Sequence, residues 1–297
     1  MIPIDLHDTG SFLSETNRQC AVVVVSCDGY SDLWTPFFTL FWRHWPECPF
    51  PVYLTANRMK FDHPKVHMLL SRTKSNWSEE LKKCLMSLEV QEVLVVLEDF
   101  FFRAPVETSA LLRAIEEWRS LEGVALRLHP QPGPDKDWKK RREFGICSAG
   151  APYRVSLQAT LWNRIALISL LRDGETAWQF EVLGTERAMA TKGEYYCSYK
   201  SLIPYKTHVV EKGEWYRDAA CIFGKSDIGC DFSQRRIMSI RTYARLRWQR
   251  AWSSLLNLLS WQIRFRWSIE LDRFPRAKKA VHWILYLKSA ANDRRDS

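Results

Sequence analysis

Two carboxylates stand side by side where a hydrophobic run ends, in the stretch Val93-Leu94-Val95-Val96-Leu97-Glu98-Asp99-Phe100. The carboxyl end of a buried strand is where open α/β sheets bind ligands. Paired oxygen donors there suit a hard divalent cation, Mn²⁺ or Mg²⁺, which shares its coordination with substrate phosphates. A solvated strand end is the competing reading. Asp28 ends an earlier apolar run, residues 21–26 (AVVVVS). Its carboxylate could accept hydrogen bonds from a base or ribose, but Asp28-Gly29 is also a preferred turn pair. Glu181 sits in Trp178-Gln179-Phe180-Glu181. Aromatic surroundings can raise a carboxyl's proton affinity and prepare it as a general base beside a hydroxyl. The alternative is an amphipathic helix with its aromatics turned inward. His208 could be a further metal or phosphate ligand, or a structural strand histidine. His63 and His67 are spaced i,i+4, but Pro64 between them argues against a helical zinc pair. There is no phosphate-cradling glycine loop of either common pattern.

The elements that must hold these groups can be read from periodicity. Residues 21–26 form a continuous apolar strand of the buried, parallel type. An aromatic helical stretch follows, stopped by Pro46. Residues 51–57 and 65–70 read as two more strands. A helix opens at Asn76 or Ser78, with Glu79 and Glu80 favouring its positive end, and runs to about Leu88. The strand ending at Leu97 comes next, then an amphipathic helix over 109–121 and a strand over 123–130. Residues 131–145 are Pro-rich and charged and read as a loop. The segment from Pro152 begins as a strand and is predicted helical from about Leu157 to Arg172, where Gly174 stops it. A second short helix carries Glu181, and 194–216 is strand-like. Strands alternate with helices through the first half, so the expected class is α/β.

Taken together and in order, these pieces resemble GT-A-type glycosyltransferases, in particular the bacterial ones of surface polysaccharide (O-antigen and capsule) synthesis. The matching stretches are VVVVSCDGYSDLW (22–34), LVVLEDFFF (94–102), SLQATLW (156–162), WQFE (178–181) and VVEKGEW (209–215), spanning residues 20–216. The resemblance implies a nucleotide-diphosphate-sugar donor and a saccharide or lipid-linked acceptor. It places Asp28, Tyr30, Glu98, Asp99, Gln158 and Trp178 at the donor, with Asp99, Glu98 and His208 as metal ligands. Glu181 matches the catalytic base of inverting members. The sequence departs from the pattern at Leu97, which stands where the first acid of an Asp-x-Asp motif ending at Asp99 would be. A non-catalytic membrane-surface assembly protein that keeps the fold is therefore the alternative. A metal-dependent nuclease would need a more basic body than this one.

Charge divides the chain. The 297 residues carry a net +9. Residues 235–297 hold 15 Lys+Arg against 4 Asp+Glu, or +11, and residues 1–234 hold 28 against 30, or −2. The expected organisation is a catalytic domain over 1–234 and a basic, Trp-rich helical tail over 235–297. Trp248, Trp252, Leu255, Leu259 and Gln262 share one helical face, flanked by Arg241, Arg245, Arg247 and Arg250. Residues 276–288 repeat the recipe. Such helices lie in membrane interfaces and are drawn to anionic lipid. Packing on the body or nucleic acid binding are the competitors; the near-neutral body offers nucleic acid no continuing groove. Eight cysteines without a C-x-x-C pair and no secretory leader point to reduced thiols and a cytoplasmic location on the inner membrane face.

Overall fold

The computed structural model describes residues 19–256 apart from 74, 138–142 and 212. The α/β expectation holds. An eight-stranded mixed sheet forms the centre, flanked by helices on both faces. Strand β1 (Cys20–Val25) lies between β2 (Val52–Ala56) and β4 (Glu92–Leu97) and is parallel to both, while β3 (His67–Leu70) is parallel to β2. All six residues of β1 are buried. Val22 and Val24 enter one core, Val23 and Val25 the other. A strand covered on both faces needs the unbroken valine run seen in the sequence.

The short strand β5 (Phe101–Phe102) leaves this sheet and later pairs elsewhere, while β6 (Ala125–Arg127), β7 (Phe144–Ile146), β8 (Thr160–Asn163) and β9 (Tyr195–Ser198) complete it in the order β3-β2-β1-β4-β8-β6-β9-β7. Strand β8 is antiparallel to both β4 and β6. β5 pairs with β10 (Tyr205–Lys206), and β11 (Val210–Glu211) forms a hairpin with β12 (Glu214–Trp215).

Helices α1 (Trp34–His44), α2 (Trp77–Met86), α3 (Thr108–Ser120), α4 (Arg164–Leu170), α5 (Ala177–Met189), α6 (Arg217–Phe223) and α7 (Ile240–Leu256) complete the described elements. Of the two candidate caps of α2, Asn76 is the one used: its side chain accepts from the Glu79 N–H. Helix α5 opens on a capping box between Thr176 and Gln179, which satisfies two otherwise orphaned donors.

One stretch corrects the sequence reading. Residues 157–172 are not one helix: strand β8 occupies Thr160–Asn163 and only Arg164–Leu170 is helical. The Asn163 side chain caps the new helix by accepting from the Ala166 N–H. Pairing between β4 and β6 outweighs local helix propensity here, because the backbone groups of a central strand must find partners on both sides. The Pro-rich loop also ends earlier than expected, with Phe144–Ile146 pairing on β9.

The segment after residue 234 begins packed on the sheet domain. The backbone N–H of Trp215 donates to the Arg236 carbonyl and that of Met238 to the Trp215 carbonyl, at 2.8 and 2.9 Å. Met238 and Leu246 are buried, and Tyr243 meets Tyr216 edge-on. Arg241, Arg245 and Arg247 remain exposed, as does Trp248. The rest of the expected interfacial face, namely the side chains of Arg250, Trp252 and Leu255 together with Leu259 and Gln262, and the segment 276–288 lie outside what the structure describes. No described helix is long and apolar enough to cross a membrane.

Candidate functional site

Strands β1 and β4 run in register and end together, Val25 beside Leu97, so their continuations meet at one sheet edge. After β1 the chain enters a 3₁₀ turn, Asp28–Leu33. The Asp28 carboxylate accepts backbone N–H bonds from Asn57, Arg58 and Met59 at 2.9–3.1 Å, and the Asn57 side chain accepts the Asp28 N–H in return. Asp28 thus clamps the loop after β2 against the loop after β1. Tyr30 follows, half-buried; burial and the nearby Glu98 carboxyl push its phenol up.

After β4 come Glu98 and Asp99. Glu98 is buried, and burial together with the Asp99 charge raises its carboxyl well above the usual range. Asp99 Oδ2 lies 3.6 Å from His208 Nδ1. Asp99 Oδ1 is buried with no hydrogen-bond partner among the described residues, a costly arrangement unless something else occupies it. The Val209 N–H donates to the Asp99 carbonyl, tying the His208 segment to the strand end. His208 itself has a φ of +52°, a left-handed conformation uncommon outside glycine, and its ring meets Phe100 edge-on. The two ends of the 99–208 pair are therefore fixed by backbone and ring contacts.

Glu181 projects from α5 towards the same region. Its Oε1 accepts from the Leu157 N–H at 2.7 Å and the Ser156 hydroxyl at 3.2 Å, which leaves Oε2 outside its side-chain hydrogen bonds with the described residues. Burial raises its carboxyl; the Leu157 N–H, the neighbouring His208 and the Ser156 hydroxyl oppose the rise. Of the neighbouring aromatics, Phe180 is buried and packs on Trp77, so it is core. Trp178, half-buried, lies one helical turn from Glu181 on the same side of α5. The helix is held by Arg187, whose guanidinium forks onto Glu175 at 2.6 and 2.7 Å while its Nε donates to the Leu170 carbonyl.

Gln158 is buried, and its Oε1 accepts from the Tyr205 hydroxyl at 2.8 Å. That hydroxyl accepts the Ala159 N–H, and the Tyr205 ring stacks between Phe100 and His129. The structure thus draws Tyr30, Glu98, Asp99 and His208 to one sheet edge and puts Glu181 within electrostatic reach of His208. Gln158 joins them through Tyr205. Among the described residues, no group of three or more His, Cys, Asp or Glu side chains is arranged to hold a metal by itself.

Two residues were missed from sequence. Arg127 is buried behind the site, donating to the carbonyls of Pro132 and Tyr153, and its charge reaches Glu181. Arg235 was counted with the tail, yet its guanidinium forks onto Asp32 at 2.8 and 3.0 Å. No spacing rule links residues 203 positions apart; the only available hint was an Asp at the end of the 28–32 turn.

Among solved structures, the chain is similar to S. aureus TarS 1–349 in complex with UDP-GlcNAc, with a TM-score of 0.46 and 13% identity over 66% of this chain and 60% of that one. TarS 1–349 alone gives 0.43 and 13% over 93% and 88%. The complex with UDP gives 0.40 and 14% over 63% and 59%. The chain thus spans less than two thirds of the length of the first of these. No protein-family profile matches the sequence, and no curated protein does.

Proposed function

We propose that the protein is a glycosyltransferase that moves a sugar from a nucleotide-diphosphate sugar to a saccharide or lipid-linked acceptor with inversion, in bacterial surface polysaccharide synthesis at the cytoplasmic face of the membrane. The observation that carries this reading is the grouping of Asp99, His208 and Glu181: a strand-end acid with an orphaned buried oxygen, a histidine 3.6 Å away, and a carboxyl raised by burial. The sequence resemblance gives these positions their roles.

The donor set fits a hard divalent cation that completes its shell with phosphate oxygens. Asp99 and His208 would hold it. Glu98, buried beside Asp99, would be a further ligand; burial and the Asp99 charge raise its carboxyl, and a bound cation would favour its ionised form. When bound, Mn²⁺ or Mg²⁺ supplies Lewis-acid stabilisation of the departing diphosphate. The chain's own groups do the rest. The turn after β1 receives the nucleotide beside Tyr30. Glu181 takes the proton of the acceptor hydroxyl at Oε2, while the Leu157 N–H and Ser156 hydroxyl fix Oε1 and hence the direction of the free lone pairs. One positioned base without an enzyme nucleophile gives inversion. Trp178 offers an apolar face to a sugar ring beside that base.

The exposed Arg241, Arg245 and Arg247 and Trp248 support docking on anionic lipid, where lipid-linked acceptors are presented. Assays with UDP, GDP, CDP and dTDP sugars, with and without Mn²⁺, test the reading: nucleotide release stimulated by an acceptor lipid extract supports it. Nucleotide binding without any release across the panel favours the non-catalytic assembly protein, which Leu97 in place of an acid keeps as the second reading.

A further inference from the structure

Arg235 ties the C-terminal segment to the turn that follows the first strand. Its Nε and Nη2 take both oxygens of Asp32, and Nη2 also donates to the Gly29 carbonyl at 2.9 Å. The guanidinium carbon lies 4.7 Å from the centre of the Tyr30 ring. The side chains of Arg235 and Asp32 are only 11% and 6% exposed. One guanidinium therefore grips the start, the middle and the end of a four-residue stretch, Gly29 to Asp32. Its Nη1 makes no hydrogen bond with the described residues and lies over the β11–β12 hairpin, where a Cβ on Gly213 would come within 3.7 Å of it.

An ion pair of this kind could be a clamp with no other role. Three features argue for more. The gripped stretch is the one between Asp28 and α1 that lines the sheet edge beside Glu98 and Asp99. The partner on the far side is a half-buried tyrosine ring, whose orientation sets what flat group can lie against it. The fork is also planar and bidentate, a geometry that fixes orientation as well as distance.

We propose that Arg235 is a positioning residue for the nucleotide donor: it sets the Tyr30 ring and the Gly29–Asp32 backbone in the conformation that receives the nucleoside diphosphate. The inference rests on the glycosyltransferase reading and adds to it that the segment leading to the tail completes the donor pocket.

The test is calorimetric titration of full-length protein with UDP, GDP, CDP and dTDP in Mn²⁺, alongside steady-state kinetics on the matching sugar, for wild type, Arg235→Gln, Arg235→Lys and Arg236→Gln. Arg236 is 89% exposed and serves as the charge control. Arg235→Gln is expected to weaken nucleotide binding about tenfold or more and to raise KM for the donor while kcat at saturation stays within about twofold. Arg235→Lys, which keeps the charge but not the fork, falls between, and Arg236→Gln matches wild type. Melting curves confirm that each variant folds; if Arg235→Gln does not, Arg235→Lys carries the comparison. A wild type that binds a nucleotide with variants of unchanged affinity overturns the inference alone. A wild type that binds none overturns the function reading and this inference with it. A fall in kcat equal to the loss in binding would make Arg235 a general structural support and overturn the positioning role.

Discussion

At the residue scale, Glu181 has one carboxylate oxygen held and the other outside that grip. Glu181→Gln keeps the shape and removes the base. Turnover should fall roughly 10²–10⁴-fold with donor affinity, measured by calorimetry, unchanged. Because burial raises this carboxyl, the acid limb of the pH–kcat profile should lie above the usual glutamate range and disappear in the variant. His129 behaves oppositely. Burial drives its imidazole down to about 4, with Arg127 adding to the drop against hydrogen bonds the ring donates to Gln131 and the Ile203 backbone. The folded state thus resists a proton that the unfolded chain accepts near 6.5. The stability this lends is intact above 6.5 and is lost as pH falls towards 4, about 3 kcal/mol in all. Urea titrations from pH 7 to 4 should show a shallower decline for His129→Gln than for wild type. The charged groups were visible in the sequence because strand ends expose their acids to inspection. What they bond to was not. Asp28 reads as a turn residue or a ligand-binding one, and only the folded chain reveals three backbone donors from residues 57–59 on its carboxylate.

At the scale of elements, α5 delivers Glu181, and its orientation depends on the Arg187–Glu175 fork. Both side chains are largely buried, so removing one strands the other's charge. Glu175→Ala should cost about 3–5 kcal/mol of stability by denaturant titration. Strands β1, β2 and β4 were legible from their apolar runs and turn residues, since a doubly covered strand has a composition few other elements share. Strand β8 was not. Thr160, Leu161 and Trp162 run into Arg164–Leu170 with no breaker between them, and the decision is made by two neighbouring strands remote in sequence. The capping pattern around Asn163 is the one local sign that the helix starts there, and it is indistinguishable from an ordinary helical asparagine until β8 is in place.

On the scale of the whole molecule, the charge division between residues 1–234 and 235–297 is a sequence fact with a structural refinement: the first dozen residues of the basic portion are built into the sheet domain, with Met238 and Leu246 buried. Arg236, Arg241, Arg245 and Arg247 face solvent from the same stretch. Flotation with vesicles containing anionic lipid should therefore lift full-length protein, and a chain ended after Leu256 should float markedly less while keeping its melting temperature. Neutral vesicles should lift neither, and raising salt should reverse the binding, because surface charge attraction is screened within about a Debye length. A cut before Arg235 would confound the result by removing core residues along with the cations.

The pairing of Arg235 with Asp32 also gives the protein an order of completion. Chains fold N-terminal first as they are synthesised, and every strand of the central sheet lies before residue 199. A growing chain can assemble that sheet while the turn it built first still lacks its guanidinium. The turn after β1 is thus held only once residue 235 has been made, so a copy stopped short or clipped near residue 234 would leave that turn without its clamp and the core without Met238 and Leu246; on the proposed function it would take up its activated sugar poorly.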